Sequence, residues 1–187
     1  MISVHDADAL AQRAHGDDRN RSGVRFIDHV RNVAARVQNE PDAYAVPAAL
    51  LHDTVEKTWM SWDHLRDAGA DDRLIALVDA LTERDGESEE SYFRRAASDP
   101  LALRIKRADI ADKLDVRAFS VLGETDRLAV EARARRRLAL LEALARDLQP
   151  PPPEAWCSTR SPRELRRRVA LVGEGRPPGG TALEGAR

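Results

Sequence analysis

No window of this sequence combines enrichment in β-branched residues with strict apolar–polar alternation, so nothing in it reads as a strand and the fold is expected to be all-α. The apolar residues instead recur at helical spacing between clear start and stop signals. Ser3 followed three residues later by Asp6 opens a first helix that runs to His15. Asp17 to Arg25 is charged, contains Ser22-Gly23 and reads as a loop. From Phe26 the positions Val30, Val33, Ala34 and Val37 form a stripe, with His29 beside it, until Pro41 ends the pattern. Asp42 caps a helix that is apolar nearly all round through Ala48 to Leu51 and runs straight into His52-Asp53-Thr54-Val55-Glu56. Ser61 starts a short helix ending near Gly69, Asp71 to Thr82 forms another, and a further one surrounds Tyr92 to Ala97. Asp99-Pro100, an acid at the cap and proline in the first turn, opens the helix that holds Lys106 and Asp109. Thr125 to Gln149 closes the set.

Four prolines follow, Pro150 to Pro153. From there on the chain holds seven of its ten prolines and five of its ten glycines, so 1–149 is read as one helical domain and 150–187 as a mobile Pro/Gly/Arg-rich tail with a short basic helix over Glu164 to Val172. Apolar residues at 42% are enough for a core, and a net charge of -2 from well-mixed acids and bases gathers no nucleic acid. The single cysteine, Cys157, excludes an intrachain disulfide, and no apolar run approaches membrane length. The expectation is a cytoplasmic protein with no membrane partner; an oligomer is compatible with the sequence.

The residues able to carry chemistry are few. Glu56 follows His52 by four positions, which brings an imidazole and a carboxylate to one helix face. Lys106, Asp109 and Lys113 line cation, carboxylate and cation along another, an arrangement suited to a phosphate bound near a metal. Imidazole and carboxylate without thiolate point to Mn, Fe, Co, Zn or Mg, not to a structural zinc site. Any one of His29, His52 and Asp109 alone is readable as a hydrogen-bonded core group. Clustered together they would need improbable mutual satisfaction without a cation. His5, His15 and His64 are read as exposed or capping residues, and Trp59 and Trp62 as packing of the turn after His52-Asp53. The arginine runs at 135–137 and 166–168 read as solvated faces.

The order His29, His52-Asp53, Asp109, within Leu50-Leu51-His52-Asp53-Thr54-Val55-Glu56 and Ile105-Lys106-Arg107-Ala108-Asp109, resembles the HD-domain hydrolases related to bacterial (p)ppGpp 3′-pyrophosphohydrolases and their small stand-alone versions. The resemblance covers about residues 10 to 117, including Ala14-His15, Ser22-Gly23, Phe26-Ile27 and Val78-Asp79-Ala80-Leu81-Thr82. It implies a compact HD-type helical bundle whose metal ligands are His29, His52, Asp53 and Asp109, with Mn²⁺ as the usual ion and Glu56 as a catalytic carboxylate. It further implies that water activated there attacks phosphorus and releases pyrophosphate from the 3′ side of a nucleotide. Arg19, Arg21, Lys57, Lys106 and Lys113 are the substrate-binding candidates. Three departures accompany it: Lys57 stands where the family has a second acid after Glu56, Asn20-Arg21 where it has Arg-Lys, and Lys113 where it has asparagine. The function expected is a metal-dependent phosphohydrolase of a phosphorylated nucleotide, with (p)ppGpp one candidate. The alternatives are an HD phosphatase for another small phosphorylated metabolite and a degenerate HD domain that binds nucleotide and metal without turnover.

Overall fold

In a computed structural model, residues 2–20, 23–115 and 123–148 are described. The tail, its basic segment and Arg21 lie outside them. Among the described residues the chain forms nine helices: α1 (Val4–His15), α2 (Phe26–Arg36), α3 (Ala45–Leu51), α4 (Thr54–Lys57), α5 (Trp62–Asp67), α6 (Asp72–Leu81), α7 (Glu89–Ala97), α8 (Pro100–Lys113) and α9 (Glu124–Leu148). There is no strand among these residues, only an isolated bridge between Arg19 and Arg25. None of the helices is long and apolar enough to cross a membrane.

The caps explain most of the boundaries. Ser3, Ser61, Asp71, Ser88 and Asp99 each accept hydrogen bonds from backbone N–H groups in the first turn of the helix that follows. Ser61 and His64 close a reciprocal capping box, which gives His64 a structural role and leaves it on the surface. The structure departs from the sequence reading in the helix that enters His52-Asp53: Asp42 does not cap it but accepts from Tyr44 N in the preceding turn, and the helix begins at Ala45. It stops at Leu51 and restarts at Thr54, so the two ligand candidates sit in the turn between α3 and α4. Both keep right-handed helical dihedrals, with Asp53 relaxing to φ -98°, ψ -3°. Glu56 therefore still follows about one turn after His52.

Two apolar cores meet on α8. One is built from α1 to α6 with Leu101, Ala102 and Ile105 of α8; the other joins Tyr92 and Phe93 of α7 to Leu103 and Ile110 of α8 and to Leu141 and Leu144 of α9. With apolar side chains on both flanks, α8 is buried nearly all round, and each fully buried leucine or isoleucine contributes about 1.5–3 kcal/mol. A helix held this firmly can present charged groups to a buried site at fixed positions.

The start of α8 is a sensitive point of that frame. Asp99 Oδ1 accepts from Leu101 N at 2.8 Å and Ala102 N at 3.1 Å, while Oδ2 lies 2.5 Å from Arg73 Nη1. Burial opposes ionisation of Asp99, but Arg73 and the two N–H groups outweigh it and hold its pKa below the ordinary carboxylate value. A lowered pKa gives a contribution that is complete above that ordinary value and is lost as pH falls through the lowered one. Asp99→Ala is expected to cost about 0.5–2 kcal/mol in denaturant unfolding at neutral pH. The difference from wild type should shrink in acid.

Candidate metal centre

Three elements converge to make the site. α2 supplies His29, the turn between α3 and α4 supplies His52 and Asp53, and α8 supplies Asp109; all four are buried. Nitrogens of His29 and His52 and an oxygen of Asp53 lie within 4.8 Å of one another, a spacing that fits a single cation. His29 Nε2 is 3.8 Å from Asp53 Oδ2 and 3.1 Å from Asp109 Oδ1, and His52 Nε2 is 3.4 Å from Asp53 Oδ1 and 3.9 Å from Asp109 Oδ1. The four residues that the sequence singled out as ligands are thus brought together.

The far side of each imidazole is already committed. His29 Nδ1 faces Asp112 Oδ2 at 2.7 Å, and His52 Nδ1 faces the carbonyl oxygen of Ala49 at 2.8 Å. Each partner can accept a hydrogen bond from Nδ1–H, which turns Nε2 toward the centre. Among the described residues His29 Nε2 and His52 Nε2 are buried without a hydrogen bond of good geometry. Buried polar atoms are ordinarily satisfied, so two unsatisfied imidazole nitrogens converging beside two carboxylates are what a cation-binding site requires. The donor set fits a divalent transition ion.

The electrostatics keep the two carboxylates in their ligating form and give His29 a proton that a bound cation would displace. Burial opposes the charged form of His29, but its contacts with Asp109 and Asp112 prevail and raise its pKa to about 9. Burial dominates at His52 and pushes its pKa down. It also opposes ionisation of the two acids, yet His52, Lys113 and His29 hold Asp53 at about 2, while Lys106 and Lys113 hold Asp109 well below the usual range. Both carboxylates are therefore anionic at neutral pH, as ligands must be.

Glu56 is half-buried; its Oε2 accepts from Glu83 N at 3.0 Å and its Oε1 is paired with the ammonium of Lys57. Lys106 is buried, with Nζ 2.7 Å from Asp109 Oδ2 and 4.9 Å from the centre of the Tyr92 ring. The Tyr92 hydroxyl is itself tied to the carbonyl of Leu81. Lys113 is partly exposed and reaches Asp109 Oδ1 at 2.6 Å. Arg19 is on the surface and donates to Gly23 O at 2.7 Å, spanning its own loop; Arg21 lies outside the described residues.

Two residues near the site were not anticipated. Asp112 was passed over, although its spacing of three from Asp109 places it on the same face of α8 and could have signalled a partner for a ligand. His15 is not the exposed or capping residue that its polar neighbours suggested. It is buried at the end of α1 and stacked on Phe26, with ring centroids 5.7 Å apart. Burial lowers its pKa, and Asp53, His52 and His29 are near enough to act on it. The alternation of small apolar residues before it, Ala7, Leu10, Ala11 and Ala14, was the available signal.

No family model matches the chain. It is 28% identical over 120 residues to the guanosine-3′,5′-bis(diphosphate) 3′-pyrophosphohydrolase of Aquifex aeolicus, a match covering 59% of this chain and 17% of that protein. It is 31% identical over 154 residues to a probable GTP pyrophosphokinase of Mycobacterium leprae, covering 76% of this chain and 18% of that one. The chain spans less than a fifth of the length of the curated relatives it matches. Its fold is similar to that of a solved structure described as a metazoan ortholog of SpoT that hydrolyzes ppGpp, with a TM-score of 0.61 and 20% identity over 90% of this chain and 96% of the other.

Proposed function

We propose that this chain, a distant homologue of ppGpp 3′-pyrophosphohydrolases with their HD-domain fold, is a metal-dependent phosphohydrolase acting on a phosphorylated nucleotide, with ppGpp the first substrate to test. The observation that carries the reading is the convergence of His29, His52, Asp53 and Asp109 with two buried imidazole Nε2 atoms left unsatisfied. Few protein ligands leave coordination positions for water and substrate. A divalent cation bound there supplies Lewis acidity that polarises a phosphoryl oxygen and acidifies water.

The chain's own residues supply the rest. Asp112 and the Ala49 carbonyl fix the imidazole orientations, and Lys106 fixes the Asp109 carboxylate. Glu56, held by the Glu83 N–H, is the available carboxylate to take a proton from the attacking water. Water would add to the phosphorus on the 3′ oxygen, the bond between that oxygen and phosphorus would break, and the 3′ oxygen would take a proton to become a hydroxyl as pyrophosphate is released. Lys113, the partly exposed cation of the site, suits the charge of the phosphates.

One observation favours a second reading, a domain that binds nucleotide and metal without turnover: the Lys57 ammonium sits on Glu56, the same carboxylate that would serve as base. A single panel distinguishes the two. With Mn²⁺, ppGpp, GTP, GDP and simple monophosphate esters are incubated with the protein and released phosphate and pyrophosphate are measured, with and without chelator. Pyrophosphate release from ppGpp that the chelator abolishes is expected. Tight binding with no release from any substrate would favour the second reading, and release indifferent to chelator would sink the metal-dependent one.

A further inference from the structure

Asp109 is gripped from two sides by lysines of its own helix, and the two grips are unequal. Lys106, three residues earlier, holds Oδ2 at 2.7 Å with a side chain only 5% exposed. Lys113, four residues later, holds Oδ1 at 2.6 Å with a side chain 40% exposed. Oδ1 is also the oxygen turned toward the imidazoles, 3.1 Å from His29 Nε2 and 3.9 Å from His52 Nε2. A divalent ion held by those nitrogens needs the oxygen that Lys113 contacts. Two cations sharing it at contact distance repel each other strongly where water is largely excluded. Lys106 cannot be the one to yield, since its ammonium is enclosed between Asp109 and the Tyr92 ring and would be left buried without a counter-charge. Lys113 can, because its long flexible stem already reaches solvent.

We propose that Lys113 exchanges with the metal ion at Asp109 Oδ1 and, once displaced, binds a phosphate of the substrate, while Lys106 stays on Oδ2 and holds Asp109 as a single-oxygen ligand. This rests on the metal-dependent reading above. It assigns opposite roles to two lysines on one carboxylate: Lys106 is a positioning residue that favours metal binding, and Lys113 competes with the metal and then serves the anion. It also couples the two ligands, since the ammonium becomes available to phosphate when the metal takes its oxygen.

The test is calorimetric, on the full chain at fixed ionic strength, with Mn²⁺ and then inorganic pyrophosphate as probes. Lys113→Gln should bind Mn²⁺ about threefold more tightly than wild type, as removal of a partly exposed charge contact would give. The Mn²⁺-loaded variant should bind pyrophosphate several-fold more weakly. Lys106→Met should bind Mn²⁺ about 10- to 100-fold more weakly, the usual cost of losing a partner that orients a ligand. If Lys106→Met does not fold, the Lys113 comparison decides alone, because that side chain is not part of a core. Lys113→Gln binding Mn²⁺ no more tightly than wild type, or pyrophosphate just as well, overturns the exchange and leaves the metal site standing. Wild type that binds no Mn²⁺ overturns the metal site itself.

Discussion

His52→Ala is expected to fold, to retain no Mn²⁺ after desalting, and to lose nucleotide hydrolysis by at least about a thousandfold, since metal ions commonly contribute several kcal/mol at the transition state and each 1.4 kcal/mol is tenfold in rate. His52 is a cleaner probe than Asp109. Its Nδ1 contacts the carbonyl of Ala49 within α3, and removing the ring leaves no buried ammonium without its counter-charge. Removing the Asp109 carboxylate would leave Lys106 buried and uncompensated, a change that costs about 3–5 kcal/mol in comparable pairs and confuses lost folding with lost chemistry. His52→Gln, closer in volume, controls for the cavity. Metal content by elemental analysis, activity and circular dichroism are to be read together. A folded His52→Ala that keeps a stoichiometric ion would remove the central claim.

The helices were legible because their ends are written in short-range chemistry. Ser3, Ser61, Asp71 and Asp99 are capping residues whose side chains reach N–H groups two or three positions away, a distance that sequence encodes directly. The break between Leu51 and Thr54 was not legible. Nothing local stops the helix there, and no proline or glycine marks it. The ligand candidates were found as a set because their order and local contexts resemble the HD-domain hydrolases, a match written along the chain. Their partners were hidden for the same reason in reverse: Asp112 meets His29 across 83 residues of chain, a contact that no local pattern records. Lys106 looked like a cation free to bind phosphate, yet α8 is flanked by two cores, and its ammonium is enclosed where the sequence suggested an outward face. Helical spacing gives the face on which a residue lies; only the packing of other elements decides whether that face meets water.

The second large effect is expected at Lys57. In wild type its ammonium pairs with Glu56 Oε1 while the Glu83 N–H occupies Oε2, so both oxygens of the one carboxylate placed to accept a proton are engaged. A cation paired with a general base draws the side chain away from other partners and places the wrong charge beside the proton to be accepted. Lys57→Asp reverses that charge, frees Oε1 and adds the second acid that the HD-domain hydrolases carry after the glutamate. General acid–base groups contribute about 10²- to 10⁴-fold, so ppGpp hydrolysis should rise by up to that factor in Lys57→Asp, while Glu56→Gln should lower whatever activity wild type has. Folding should be little affected, because Lys57 is exposed at the end of α4 and a surface ion pair is worth about 0–1 kcal/mol. Both variants are to be compared at saturating Mn²⁺, which separates a change in chemistry from a change in metal affinity, with ppGpp and GDP as parallel substrates. If Lys57→Asp gains nothing on ppGpp while wild type is already fast on another phosphate ester, Lys57 belongs to the recognition of that other substrate, and the assignment to ppGpp must be given up.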